Sequence, residues 1–410
     1  RMTVKKTVLR DYARLIAKCG VNVQKGQEVF IYAELDQPEF VQTLTEECYK
    51  LGAKKVVVDW SYQPLQKTHV RYRSLRTLSE LSDYEEERWK HYVKELPCRI
   101  YLVSEDPDGL KGINTAKLAK ARQKTYRVIK GYRDQMENRY QWCIAAVPGV
   151  KWAKKLFPDL TARQAVETLW GKILETARVD GDPVAAWEEH NRNLAARCAY
   201  LNSLGIRSLH YEASNGTNFT VGMIPEAEFK GGGDTSLQGI YFNPNIPTEE
   251  CFISPMRGVA EGLVVASKPL SYDGQLIEGF RIRFREGRAV EWDAERNRDL
   301  LDKLIGMDEG SAYLGECALV PFDSPVNRTG ILFYNTLFDE NACCHLALGH
   351  GFADTIRNYQ NYTLEQCREM GINDSMIHED FMIGTPDLSI TATTEDGREV
   401  PIFRDGTWAF

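Results

Sequence analysis

Two short apolar runs, Glu28-Val29-Phe30-Ile31-Tyr32-Ala33 and Lys55-Val56-Val57-Val58-Asp59-Trp60, flank a stretch of helical character. Asp36 can cap that helix, Pro38 sits near its first turn and Gly52 lies just past its end. The three pieces make a βαβ unit, which commits this part of the chain to parallel strands because a crossover of that length joins them. Further apolar runs at Arg99 to Ser104 and Cys143 to Val147, separated by helical stretches such as Asp83 to Leu96, extend the pattern. The N-terminal half is therefore predicted to be α/β, with a mostly parallel, doubly wound sheet. Neither G-x-G-x-x-G nor a Walker glycine pattern accompanies it, so nucleotide binding has no support there.

The patterning changes along the chain. Helical sequence runs from Thr161 to Leu204, and hairpin signals follow at Asn215-Gly216, Asp273-Gly274, Glu286-Gly287 and Asp405-Gly406. In Gly279-Phe280-Arg281-Ile282-Arg283-Phe284 apolar and basic residues alternate, as a half-exposed antiparallel strand requires. A boundary is placed near Gly205, dividing the chain into an α/β domain over residues 1–204 and an α+β domain with a mainly antiparallel sheet over residues 205–410. A length of 410 residues accommodates two such cores.

No apolar stretch approaches the roughly 18 to 20 residues needed to span a membrane, and the first residues lack the apolar core of a signal peptide. Ten scattered cysteines without a C-x-x-C pair read as reduced thiols, so a cytoplasmic location is expected. A net charge of −7 argues against nucleic acid as a partner. Residues 111–140 carry nine Lys or Arg against Asp134 and Glu137, but without a recognisable module they read as a solvated helix face.

Side chains able to hold a metal cluster in the second half: Glu249 and Glu250, Glu316, the segment Asp339-Glu340-Asn341-Ala342-Cys343-Cys344-His345, and His378-Glu379-Asp380. His378 and Asp380 are two apart, so on an extended backbone both point to one face and can meet one ion. Taken alone, such a pair is ordinary surface polarity, Glu250 and Glu316 are solvated carboxylates, and His345, expected to follow a capped helix start at Asp339 to Asn341, is a core histidine. Cys343 and Cys344 read as small buried apolar residues. Gly231-Gly232-Gly233-Asp234 lacks the following helix a phosphate loop needs.

Read together, these pieces resemble the signature segments of the aminopeptidase T and aminopeptidase S family of metallopeptidases. The resemblance spans essentially the whole chain and is densest in Asn245 to Glu250, Lys268 to Tyr272, Leu314 to Val320, Phe333 to Asn341, His345 to Gly349 and His378 to Gly384. It implies a metal-dependent aminopeptidase acting on small peptides with a free N-terminus, with no nucleic-acid or membrane partner, and a homodimer. It implies two divalent ions, among zinc, cobalt, manganese and magnesium, with Glu250, Glu316, His345, His378 and Asp380 as ligands. Glu316 is the expected proton shuttle. One departure stands out: where the family carries a catalytic tyrosine, seven residues after the first histidine of its His-x-Ala-x-Gly segment, this chain has Phe352. That leaves open a second reading, a weakly active or non-catalytic metal-binding relative.

Overall fold

The computed structural model describes residues 3–410; Arg1 and Met2 lie outside the described residues. Grouped by backbone proximity, the chain forms two compact units, each built from several segments. The first takes the residues up to Asn114, then Arg127–Arg192 and Gly232–Thr248; the second takes Thr115–Tyr126, Asn193–Gly231 and Glu249–Phe410. The boundary expected at Gly205 thus lies inside a segment of the second unit. Helical periodicity shows that a helix has an apolar face but not what covers it: Leu194, Cys198 and Leu201 of the helix Pro183–Ser203 belong to the core of the second unit.

In the first unit a sheet runs in the order Asn245–Ile246, Trp142–Ala146, Cys98–Val103, Glu28–Glu34, Lys55–Ser61, with every pairing parallel. The chain steps outward from Glu28–Glu34 to Lys55–Ser61 and returns past it to Cys98–Val103, which is the doubly wound arrangement. Val29, Phe30 and Ile31 are all buried, as a parallel strand covered on both faces must be. The helix Pro38–Lys50 starts at its proline, but Asp36 does not cap it. Gln37 occupies the cap position, and the Asp36 carboxylate accepts a 2.7 Å hydrogen bond from Ser104 Oγ instead. The basic run forms the helix Thr115–Met136.

In the second unit an eight-stranded antiparallel sheet runs from Arg288–Asp293 through Arg281–Arg285, Pro255–Val265, Asn218–Met223, Ile206–Glu212, Ser389–Thr394 and Glu399–Arg404 to Thr407–Trp408. The turns at Asp273-Gly274, Glu286-Gly287 and Asp405-Gly406 have both residues at positive φ, the geometry that tight hairpins require. A five-stranded antiparallel sheet runs in the order His378–Met382, His345–Gly349, Leu314–Leu319, Cys251–Ile253, Lys230–Gly231. The two sheets share one core, to which the first brings Phe219, Ile282, Phe284 and Ile390 and the second brings Ile253, Cys317, Leu346 and Phe381. Among the described residues no helix is long and apolar enough to cross a membrane.

Candidate metal centre

Successive side chains of a strand point to opposite faces. In the five-stranded sheet this sends Cys317, Leu346, Leu348 and Phe381 into the shared core, and it leaves Glu316, His345, His378 and Asp380 together on the other face. Cross-strand register aligns them. Glu316 stands opposite Ala347, which stands opposite Asp380; Gly349 stands opposite His378; and His345 stands between Ala318 and Met382. The register between Leu314 and Glu316 is irregular, a local bulge of the kind that re-aims a side chain. Glu250 joins from the residue before the strand Cys251–Ile253. Close backbone approach at the strand ends needs glycine: a Cβ on Gly349, whose φ is +100°, would lie 2.2 Å from the Ile377 carbonyl oxygen.

All five residues expected as ligands converge. His345 Nε2 lies 2.9 Å from Glu250 Oε2, 3.5 Å from Glu316 Oε2 and 3.9 Å from Asp380 Oδ1. His378 Nε2 lies 3.4 Å from Asp380 Oδ1 and 3.9 Å from Glu316 Oε2. Candidate ligand sets with donor atoms within 4.8 Å of one another are Glu250 with Glu316 and His345; Glu316 with His378 and Asp380; and Glu340 with His345 and Asp380. Glu340 is the residue that sequence reasoning missed. It was visible within the Asp339 to His345 segment, but nothing local separates it from Asp339. Asp339 is held elsewhere, its carboxylate accepting from the amides of Phe333 and Asn335.

The histidines are oriented by their other ring nitrogen. Nδ1 of His378 is 2.7 Å from the His350 carbonyl oxygen, and Nδ1 of His345 is 3.3 Å from that of Cys343. A carbonyl only accepts, so each Nδ1 carries a hydrogen and each Nε2 is turned toward the carboxylates. Glu250 Oε2, His345 Nε2 and Asp380 Oδ1 are nevertheless buried without a hydrogen-bond partner. Leaving such an atom unsatisfied costs about 1–3 kcal/mol, so three in one cluster call for a cation. The donors are imidazole and carboxylate, the set that divalent zinc, cobalt, manganese or magnesium takes. Cys343 and Cys344 are buried outside it, and Cys344 Sγ exchanges contacts with the Val320 backbone.

With protons as the only counter-ions, the cluster divides its charge unevenly. Burial pushes the Glu316 carboxyl up to about 8, aided by the charges of Asp380 and Glu250. Burial and then Asp380 hold Glu340 well above the usual carboxylate range. Burial would also raise Asp380, but the imidazoles of His378 and His345 hold it well below that range. Burial alone would lower His378, yet the Asp380 carboxylate takes it up to about 10. Phe352 lies beside this cluster, its ring centroid 4.8 Å from that of His378.

The family described as thermophilic metalloprotease (M29) matches residues 5–408. Aminopeptidase 2 of Geobacillus stearothermophilus is 39% identical over 404 residues, covering 98% of each chain. Aminopeptidase T of Thermus aquaticus is 37% identical over 402 residues at the same coverage. A solved structure, wild-type AmpT from Thermus thermophilus, superposes with a TM-score of 0.87 at 35% identity, covering 99% of this chain and 100% of that one.

Proposed function

The chain belongs to the thermophilic metalloprotease (M29) family, and from that premise we propose that it is a metal-dependent aminopeptidase removing the first residue from small peptides. The observation that carries this reading is the convergence of buried, unsatisfied ligand atoms from Glu250, His345 and Asp380 on one face of the five-stranded sheet. Glu250, Glu316, His345, His378 and Asp380, with Glu340 as a sixth donor, would hold two divalent cations. Bound there, such ions supply Lewis-acid polarisation of the scissile carbonyl and acidify a water for attack on it.

The rest of the work falls to the chain itself. The Nδ1–H bonds to the carbonyls of Cys343 and His350 fix both imidazole planes before substrate arrives. Glu316, whose Oε2 lies within 3.9 Å of the Nε2 atoms of both His345 and His378, is placed at the middle of the cluster to take a proton from water and deliver it to the leaving amine. The non-catalytic reading prompted by Phe352 finds no support, since the relatives named above are aminopeptidases. We carry forward a cytoplasmic homodimer as part of the proposal, to be checked by light scattering and fractionation.

The test is hydrolysis of aminoacyl p-nitroanilides by protein loaded in turn with zinc, cobalt, manganese and magnesium. Cleavage that requires a free α-amine and at least one of these ions is expected. Rapid internal cutting of an N-blocked peptide would mean an endopeptidase instead.

A further inference from the structure

An aminopeptidase holds the first side chain of its substrate on the carbon next to the carbonyl under attack, so whatever touches that side chain must flank the metal cluster. Phe252 and Phe352 do so. Phe252 lies two residues after Glu250, in a row across the sheet with Lys230 on one side, whose ammonium pairs with Asp354, and Ala318, His345 and Met382 on the other. Its neighbours Cys251 and Ile253 are buried in the core behind, while Phe252 itself is half-buried on the cluster's face. Phe352 follows the strand of His345 and is also half-buried.

The two rings meet edge to face, with centroids 5.8 Å apart and planes at 71°. Phe352 in turn contacts His378 at 4.8 Å and the ring of His350 at 6.2 Å. Its position is fixed by the backbone as well: the Phe352 N–H donates to Ser254 Oγ at 2.8 Å, and its carbonyl accepts from Thr355 Oγ1 at 2.8 Å. The other residues of the Phe252 row next to the ligands, Ala318 and Met382, are fully buried. The sheet therefore presents a rigid, half-exposed aromatic surface against one ligand and beside another. A ring face or edge of this kind gains from contact with apolar and aromatic groups and offers a carboxylate no hydrogen bond.

We propose that Phe252 and Phe352 form the wall against which the side chain of the substrate's first residue packs, and that this wall favours large apolar first residues over small ones. The inference rests on the aminopeptidase reading and adds to it the residues that choose the substrate. Losing an aromatic wall removes contact with a large side chain and little with none, so its signature is a change of ratio rather than of rate alone.

The experiment measures kcat/KM of the metal-loaded full chain on leucyl, phenylalanyl, glycyl and glutamyl p-nitroanilides, for wild type, Phe252→Ala, Phe252→Leu and Phe352→Ala. Inhibition by free L-leucine and glycine is measured alongside, and bound metal is counted for each variant. Wild type is expected to prefer leucyl and phenylalanyl substrates. Each alanine variant is expected to cut the leucyl-to-glycyl ratio about 10- to 100-fold, to weaken leucine inhibition more than glycine inhibition, and to keep its metal. Phe252→Leu, which retains apolar bulk, is expected to recover most of the leucyl preference. If an active wild type loses rate in parallel on all four substrates when either ring is removed, the wall is overturned while the aminopeptidase reading stands. If metal-loaded wild type cleaves none of them, both fall.

Discussion

Glu316 belongs to two of the three candidate ligand sets, and its Oε2 lies within 3.9 Å of both imidazole Nε2 atoms. Glutamine keeps the shape of this side chain but has neither the charge nor the basicity that the proposed ligand and proton-transfer roles need. Glu316→Gln should lower kcat by about 10²–10⁴-fold and reduce bound metal, measured by steady-state kinetics and metal analysis on the same preparation. At Phe352 the expectation runs the other way. A hydroxyl added at the far end of a ring already packed on His378 brings a hydrogen-bond donor to the edge of the cluster without removing apolar surface. Phe352→Tyr should therefore raise kcat several-fold with metal content unchanged, since a donor of this kind acts on charge that develops during reaction. A lower or equal kcat in a folded, metal-loaded variant would show that the chain does not use a donor there. At this scale the sequence was informative for residue types and silent about partners. His378 and Asp380 could be paired from their spacing, whereas Glu340 and Phe252 gained meaning only from what lies across the sheet.

Three neighbouring antiparallel strands, His378–Met382, His345–Gly349 and Leu314–Leu319, carry four of the five expected ligands, so the centre is only as precise as their register. A slip by one residue would turn every ligand into the core and every core residue outward. His345 was expected just after a capped helix start at Asp339 to Asn341. The helix is instead the short turn Thr336–Asp339, capped by Asn335 accepting from the Leu337 amide, and His345 opens a strand. The apolar run after His345 fits either element; pairing with strands on both sides decides it. Gly349 is the point at which this arrangement is most exposed to a single methyl group. Gly349→Ala places a Cβ against the Ile377 carbonyl at a left-handed φ, which costs about 1–3 kcal/mol in backbone strain before any clash. The melting temperature should fall, and so should metal affinity, because His378 pairs with Gly349. An unaltered melting temperature with full metal occupancy would show that the strand ends have slack.

Over the whole molecule, the core shared by the eight- and five-stranded sheets is apolar and continuous, and the expected ligands of the five-stranded sheet lie on the face turned away from it. Chelation should accordingly abolish peptide hydrolysis while leaving far-UV circular dichroism nearly intact, and divalent metal should restore the activity. Collapse of the dichroism on mild chelation would instead make the ions structural. The sequence by itself determined the βαβ run of the first unit, though not the strand that His345 opens, and turn chemistry placed the hairpins at Asp273-Gly274, Glu286-Gly287 and Asp405-Gly406, because these signals are local. It determined the family too, since short segments in fixed order need no geometry to match. Tertiary structure alone decided which segments form each unit, with Gly232–Thr248 in the first and Asn193–Gly231 in the second. It alone decided that Glu340 meets His345 and Asp380 and that Phe252 meets Phe352. Those choices belong to register and to packing between residues far apart in sequence, where the free energy of an arrangement depends on both partners and neither one encodes it.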